Sequence, residues 1–438
     1  MKRRLLVLAA MLAFLQMQAQ ETWSLRRCID YALDNNIQVL TKELSRQSAE
    51  ASLEQSKAQL YPTLSFSSSF GANFKNISTY NEYMEKAGGA SVTNSFGLNS
   101  GMTLYQGGAL RNSVLQQQVQ NEAAGYDVEQ SRMDIEMSVA QAYIQILYDK
   151  ENLDLKKLAA ELSASQVERG EALRQAGSIS KVDLAQLKSQ KASDEYQIVS
   201  AENQLSSDIL KLKQLLELGL DEDFQPYYPE VSTLQIESEI PTIRQIYEYA
   251  SEANPQMRST ALSVESADLG VKIAKGSYMP SIRLSAGIST GATSGAGTTY
   301  FDQLGNKLGE SLGLSLSLPI FNGRQVRTSV RKAEIQSSTA RLQEESQRKQ
   351  LLSTLEQLHN DAVSSLQKYQ SATAQMEASR ESFNLVTEQF AAGIKNTVEL
   401  MTEKNSYISA LSQQLQAKYS AIFAEKLLKR YLDQPIEL

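Results

Sequence analysis

The chain has little of what metalloenzymes and disulfide-stapled exported proteins are built on. A single cysteine, Cys28, excludes a disulfide framework, and together with a single histidine, His359, it leaves little for a zinc or copper site. Cys28 reads as a small buried hydrophobe on the first helix, and His359, within Leu355-Glu356-Gln357-Leu358-His359-Asn360, as a packed or solvated helix residue. Basic residues are not in surplus: 43 Lys and Arg stand against 50 Asp and Glu. A nucleic-acid partner, which needs a basic footprint, is therefore not expected. Beyond the first residues no run is apolar enough for a membrane helix. No catalytic constellation appears either: the acids Asp221, Glu222 and Asp223 have no histidine, nucleophile or phosphate-cradling glycine loop beside them. An enzyme is not expected, and no cofactor is implied.

What is present begins with a leader. Lys2, Arg3 and Arg4 form a basic start, Leu5 to Leu15 an apolar core, and Met17-Gln18-Ala19 a cleavage site, so residues 1–19 read as a secretory signal. The apolar run is well short of the ~18 residues that span a bilayer. Cys28 does not directly follow it in a small-residue context, so no lipid anchor is expected. Removing the three basic residues from 43 leaves 40 against 50 acidic, a formal charge of −10 on the exported chain.

The exported chain states one pattern twice, at an offset of about 218 residues early and about 216 later. Ser24-Leu25-Arg26-Arg27 through Tyr31-Ala32 aligns with Thr242-Ile243-Arg244-Gln245 through Tyr249-Ala250, and Tyr61-Pro62 with Met279-Pro280. Tyr105-Gln106-Gly107 aligns with Phe321-Asn322-Gly323, and the stretch Ala176-Gly177 to Leu184 with Ala392-Gly393 to Leu400. The copies occupy 20–220 and 242–438, with an acidic, proline-bearing linker at 221–241.

Each copy reads helix, strand, glycine-rich loop, strand, very long helix, tip, long helix. In the first, a helix from about Ser24 to Gln59 stops at Tyr61-Pro62, where proline blocks continuation. The period then changes to two. Leu64, Phe66, Ser68, Phe70, Ala72 and Phe74 oppose Ser65, Ser67, Ser69, Gly71 and Asn73 in a strand at 64–74, and a return strand follows at 96–105. In the second copy the strands are expected at 281–289 and 312–320, the latter setting Leu312, Leu314, Leu316, Leu318 and Ile320 against Gly313, Ser315, Ser317 and Pro319. All are about 9 to 11 residues long, which a tilted strand needs to cross a bilayer. Four strands cannot close a barrel, which takes about eight, and an open edge is not viable in lipid. A membrane sheet of this kind requires other copies of the chain. Tyr80, Tyr83, Tyr300 and Phe301, in the loops at the far ends of the strands, are candidates for an interfacial aromatic girdle, with scattered loop aromatics the alternative.

Helix formers fill 109–175, 181–217, 324–390 and 397–432. The first of these helices is on the order of 100 Å long at 1.5 Å per residue. Within it Val128, Ile135, Val139, Ala142, Ile146 and Leu153 follow one heptad seam, and Met133, Met137, Ala140, Ile144, Leu147 and Leu158 a second. Two seams allow neighbours on both sides, as in a closed cylinder of helices; a thick bundle with a shared core is the alternative.

In this order of elements the chain resembles the TolC family of outer-membrane efflux proteins, over essentially the whole exported sequence. The junction Leu318-Pro319-Ile320-Phe321-Asn322-Gly323-Arg324 and the tips Ala176-Gly177-Ser178 and Ala392-Gly393-Ile394 carry the likeness. The resemblance implies a mainly α chain with a transmembrane β-barrel: a homotrimer whose four strands per chain make a 12-stranded barrel in outer-membrane lipid, continued by a periplasmic α-helical barrel. Pro62, Gly107, Pro280, Pro319 and Gly323 mark the strand-to-helix junctions. It also implies a Gram-negative outer-membrane location and the exit duct of a tripartite efflux or type I secretion system, docked to a periplasmic adaptor protein and an inner-membrane transporter of RND, ABC or MFS type. By matched positions Glu399 and Asp183 fall on an acidic ring at the periplasmic gate, with Thr402 where a second acid often stands. Lys395 falls on the basic position of a gate tether whose acidic partner is Asp183, and Phe390 replaces a tyrosine, so the latch is expected to rest on packing and one ion pair. The tip residues Ala176, Gly177, Ser178, Ala392, Gly393 and Ile394 fall on the adaptor-docking surface. The rival reading is a periplasmic coiled-coil adaptor or structural protein, which would need a compact β domain between its hairpins.

Overall fold

The computed structural model describes residues 22–75, 89–229, 240–295 and 297–437. The expected leader, Tyr80, Tyr83 and much of the linker lie outside the described residues. Helices α1 (Leu25–Asn35) and α2 (Ile37–Ala58) lead into strands β1 (Thr63–Lys75) and β2 (Gly89–Gln106), then helices α3 (Ala109–Gln175) and α4 (Lys181–Leu215). The second copy repeats the order: α5 (Ile243–Ala253), α6 (Pro255–Gly276), β3 (Ser281–Thr293), β4 (Gly309–Ser317), α8 (Gln325–Ala391) and α9 (Thr397–Tyr431). It adds one short helix between its strands, α7 (Tyr300–Asn306). Among the described residues no helix is long and apolar enough to cross a membrane.

The expected single helix from Ser24 to Gln59 is two helices, and Asn36 is the reason. Its backbone is extended (φ −67, ψ 129). Its side-chain amide donates to the Leu215 carbonyl at 2.9 Å while its oxygen accepts from the Gln38 N–H at 2.9 Å. One buried asparagine thus serves the end of α4 and starts α2 as an N-cap. The second copy breaks at the matching Asn254, extended at φ −62, ψ 126, whose oxygen accepts from the Met257 N–H.

The chain divides into two compact units that do not coincide with the copies. Each draws on both.

The unit formed by Leu44–Tyr126 and Ser259–Glu345 holds one antiparallel sheet of order β1-β2-β3-β4. Register places Leu98 opposite both Phe66 and Ile288, and Leu284 opposite Leu314, so one face is apolar across all four strands. That face is bare: Leu64 is 71 % exposed, Phe70 74 % and Leu312 79 %. On the other face Ser65 and Ser67 donate to the Asn99 and Gly97 carbonyls at 3.4 Å. β4 starts at Gly309 and ends at Ser317, short of the expected 320. Its partner β3 begins at Ser281, directly after Pro280, so Leu318 has nothing to pair with, and Pro319 has no N–H to offer. At the β2 to α3 junction Gly107 has φ +56, and a Cβ there would sit 2.2 Å from the Gly276 carbonyl oxygen. Only glycine fits.

The other unit, Met1–Glu43, Asp127–Arg258 and Ser346–Leu438, is helical among its described residues. Its main core joins Leu25, Cys28, Ile29 and Ala32 of α1 with Ile135, Val139, Ile146 and Leu147 of α3, Leu212 of α4, and Tyr419 and Ile422 of α9. Both seams of α3 are occupied, with Leu158 alone among the twelve residues left exposed. The second copy repeats the scheme: Ile246 takes the place of Cys28, Ala250 of Ala32, Leu355 of Val139 and Leu428 of Leu212. Tyr143 fastens the linker's start, its hydroxyl lying 3.0 Å from the Trp23 carbonyl and 2.5 Å from that of Tyr227.

Candidate functional site: the hairpin tips

The two tips are built alike, from hydrogen bonds repeated at the 216-residue offset. α3 ends with Ser178 N–H on the Leu173 carbonyl (2.8 Å) and Gly177 N–H on Arg174 (3.1 Å). α8 ends with Ile394 N–H on Gln389 (2.9 Å) and Gly393 N–H on Phe390 (3.1 Å). This closure needs a left-handed residue after the helix, and Gly177 (φ +79) and Gly393 (φ +73) supply it. A Cβ on either glycine would meet nothing within 4 Å. The tips are open surface, with Ala176, Ser178, Ala392 and Ile394 exposed beside the glycines.

The descending helices start with paired capping boxes. Ser180 accepts from the Asp183 N–H (3.1 Å) while the Asp183 carboxylate accepts from Ser180 N–H (2.9 Å). Asn396 and Glu399 do the same at 2.9 and 3.1 Å. Such a box satisfies two otherwise orphaned donors. It holds both acids ionised: Asp183 is kept below the usual carboxylate range by the Ser180 hydrogen bonds, and Glu399 by Lys395 and then by the Asn396 N–H. Lys395 has its ion pair within its own hairpin, Nζ to Glu399 Oε1 at 2.6 Å. The expected pair with Asp183 is not formed within the chain. Thr402 is exposed, and its hydroxyl turns back to the Val398 carbonyl at 2.8 Å. Phe390 is 2 % exposed and packs with Phe383 and Leu400, with Leu162 and Leu173 of α3 alongside. It packs the second hairpin against the first.

Two buried polar groups that the sequence did not announce lie further along these helices. Lys404, 1 % exposed, reaches from α9 to Asp194 on α4 and Ser163 on α3. In the first copy the matching Lys188 is a half-exposed residue pairing with Glu171 at 2.7 Å. The two lysines hold equivalent positions and differ in their neighbours, Asp194 and Ser163 for Lys404 and Glu171 for Lys188. Asp149 of α3 and Asp208 of α4, both buried, meet as a carboxyl pair, with Gln145 donating to Asp149 (3.2 Å) and Lys211 and Gln204 donating to Asp208 (2.5 and 2.7 Å). Burial, and then the neighbouring Asp208, push Asp149 up to about 7. Burial also raises Asp208, but the bonds from Asp149, Lys211 and Gln204 outweigh it and hold that carboxyl low. One proton shared between two acids accounts for both shifts. Cys28, pushed up to about 12 by burial, is an inert thiol. Among the described residues no cluster of His, Cys, Asp and Glu could hold a metal ion.

The sequence pattern of the outer membrane efflux protein family matches residues 28–217 and 246–433, one match in each copy. Among curated proteins no sequence matches. Solved structures share the fold at low identity. The outer membrane protein VceC of Vibrio cholerae superposes with a TM-score of 0.79 at 17 % identity, covering 94 % of this chain and 97 % of that one. The MtrE outer membrane channel of Neisseria gonorrhoeae, in its open state, gives 0.77 at 19 %, covering 93 % and 88 %. The CmeC outer membrane channel of Campylobacter jejuni gives 0.77 at 18 %, covering 91 % and 83 %. The rival reading as a periplasmic adaptor falls with these matches, and among the described residues the one sheet is the bare four-stranded one. The chain belongs to the outer membrane efflux protein family, and it is an outer-membrane efflux channel.

Proposed function

We propose that three copies of this chain form the exit duct of a tripartite efflux or type I secretion system, conducting passively and without catalysis. The carrying observation is the bare sheet: an apolar face at bilayer length with β1 and β4 both free at its edges. Lipid cannot hydrogen-bond to those edges, so another copy must. Four strands from each of three chains give 12. The duplication supports a ring closed in this way. Gly107 is jammed against Gly276 of the second copy, whereas the matching Gly323, φ +60, faces open space in the single chain. The space is there for the next chain's equivalent of Gly276, which is Ala58.

The gate is assigned to the tips. Three copies of Glu399, with Asp183 and the uncharged Thr402 nearby, form an acidic ring that attracts cations and resists anions. Because Lys395 is committed to Glu399 within the chain, its pairing with Asp183 is a contact between neighbouring chains in the closed assembly. That pair is exposed and screened by solvent, so Phe390 packing carries most of the latch. The adaptor protein docks on the tips, and an inner-membrane transporter beneath it sets the cargo.

The test is current through the purified, membrane-inserted protein. The parent should run as a heat-modifiable trimer and conduct with a preference for cations. Glu399→Ala should reduce that preference and Lys395→Ala should raise the open fraction. Unchanged selectivity and opening in both would remove the gate from these residues, and absence of any current would remove the duct.

A further inference from the structure

The apolar face of the sheet does not stay apolar to its far end, the end away from the helix junctions. Leu284, Leu312 and Leu314 give way to a row where Ile288 pairs with Glu310, and then to Thr290 opposite Phe96 and Ala292 opposite Asn94. Directly opposed residues in an antiparallel pair share a face, so Asn94 and Thr290 continue the leucine face and make it polar on β2 and β3, while β1 beside them keeps Phe70, Ala72 and Phe74 on that face. A short helix, α7, is folded onto this polar end.

Side chains fix it there. Gln303, buried, accepts from the Thr293 N–H at 2.9 Å and donates to the Thr293 and Thr298 carbonyls at 3.1 and 3.3 Å. Thr290 donates to the Leu304 carbonyl at 2.6 Å, and the Asn94 amide to the Tyr300 hydroxyl at 3.0 Å. Lys307 adds a bond to Gln303 at 3.0 Å. The helix covers Ala292, which is 4 % exposed. Opposite this anchored side it presents Phe301, 80 % exposed and edge-on to Tyr300 at 5.6 Å, followed by Leu308 at 59 %. A helix so pinned is not a wandering loop, and an aromatic so exposed is unfavourable in water.

We propose that α7 is an interfacial helix: lying over the outer end of the sheet's lipid-facing side, it seats Phe301 and Leu308 at the boundary between headgroups and acyl chains of the outer leaflet. The occupant of this surface is a bilayer. On β3 and β4, α7 begins where the leucine rows end, beside the exposed Phe70 and Phe74 of β1, at the depth where aromatic side chains are favoured because one part of the ring is dry and another wet. The inference rests on the membrane reading of the sheet, which a second probe tests separately.

Trp23 is the only native tryptophan and gives a constant background. Phe301→Trp and Leu312→Trp, the latter within the leucine rows opposite Ala286 and 79 % exposed, are reconstituted in phosphatidylcholine vesicles with lipids brominated near the headgroup or deep in the chain. Fluorescence of Phe301→Trp should be lost mainly to the shallow label and that of Leu312→Trp mainly to the deep one, with aqueous iodide reaching neither well. Adding Gln303→Ala to Phe301→Trp should abolish the shallow quenching and admit iodide. If Leu312→Trp responds but Phe301→Trp is quenched by iodide alone, α7 lies in water and the inference is wrong. If Phe301→Trp is shielded from both quenchers, protein covers it and the inference is equally wrong. If Leu312→Trp is not quenched by lipid at all, the membrane reading fails and takes the inference with it.

Discussion

Asp149 shows how a single residue makes stability depend on pH. Its ordinary value is near 4 and the fold raises it to about 7. Between those values the unfolded chain has released this proton and the folded chain has kept it, so stability falls as pH rises through that window and levels off above it. Asn at this position keeps a donor for Asp208 and has no proton to lose. Asp149→Asn should therefore match the parent near pH 4 and exceed it at pH 8 by roughly 1–3 kcal/mol; melting or urea titration at pH 4, 6 and 8 reads this, and equal stability at pH 8 would show that the pair does not share a proton. Lys404 carries the opposite liability, since removing one partner of a buried ion pair leaves the other charge uncompensated. Lys404→Met should lose about 3 kcal/mol, and adding Asp194→Leu should recover most of it. If the double variant melts no higher than the single, the cluster is not a coupled pair.

At the scale of elements, the two tip turns are clean targets because each glycine is required only by its backbone angle. Asparagine tolerates the left-handed region, so Gly177→Asn and Gly393→Asn should leave the trimer's melting temperature within a few degrees of the parent while placing a side chain on the proposed docking surface. Adaptor pull-down and drug resistance should both drop; intact assembly in both variants would move the docking surface off the tips. The elements themselves were legible in proportion to their length and punctuation. α3 and α8 stand between glycine pairs or turns that leave their bounds little freedom, and β1 alternates too regularly to be anything else. The break at Asn36 was hidden because asparagine signals a cap only when its partners, here Leu215 and Gln38, are known. Its counterpart Asn254-Pro255 was the available clue, since the residue before proline favours an extended backbone. α7 escaped because seven residues are too few to show a helical period. The tips were legible as turns, but the partner of Lys395 was not: Glu399 at i+4 is local geometry, while Asp183 depended on how hairpins meet.

For the whole molecule, the duplication acts as a map of contacts the single chain cannot make. α9 carries two buried faces. One, with Ala417, Ala424 and Leu428, matches the face of α4 holding Ala201, Asp208 and Leu212, and each packs within its own copy. The other packs α9 of the second copy against α3 of the first: Tyr419 donates to Glu151 at 2.6 Å, Lys418 stands 3.5 Å from that acid, and Tyr148 meets Tyr419 edge-on at 6.1 Å. Moving each residue by one repeat gives Asn203 and Glu202 on α4, both exposed, and Gln367 and Ser364 on α8. Among the described residues nothing brings those two faces together, and a ring of copies would, with α4 of one chain against α8 of the next. The seam between chains would then differ from the seam within a chain by having no charge pair at these positions and no buried lysine, since Asp194 is matched by Ala410. Asn203→Cys with Ser364→Cys tests the map directly, because the native Cys28 is fully buried and does not compete. Mild oxidation of the membrane-embedded double variant should yield a covalent species of three chains on a denaturing gel, and either single variant should yield none. A covalent dimer as the end product would mean an assembly that does not close as a three-membered ring, and uncrosslinked chains would mean that the repeat does not predict the neighbour.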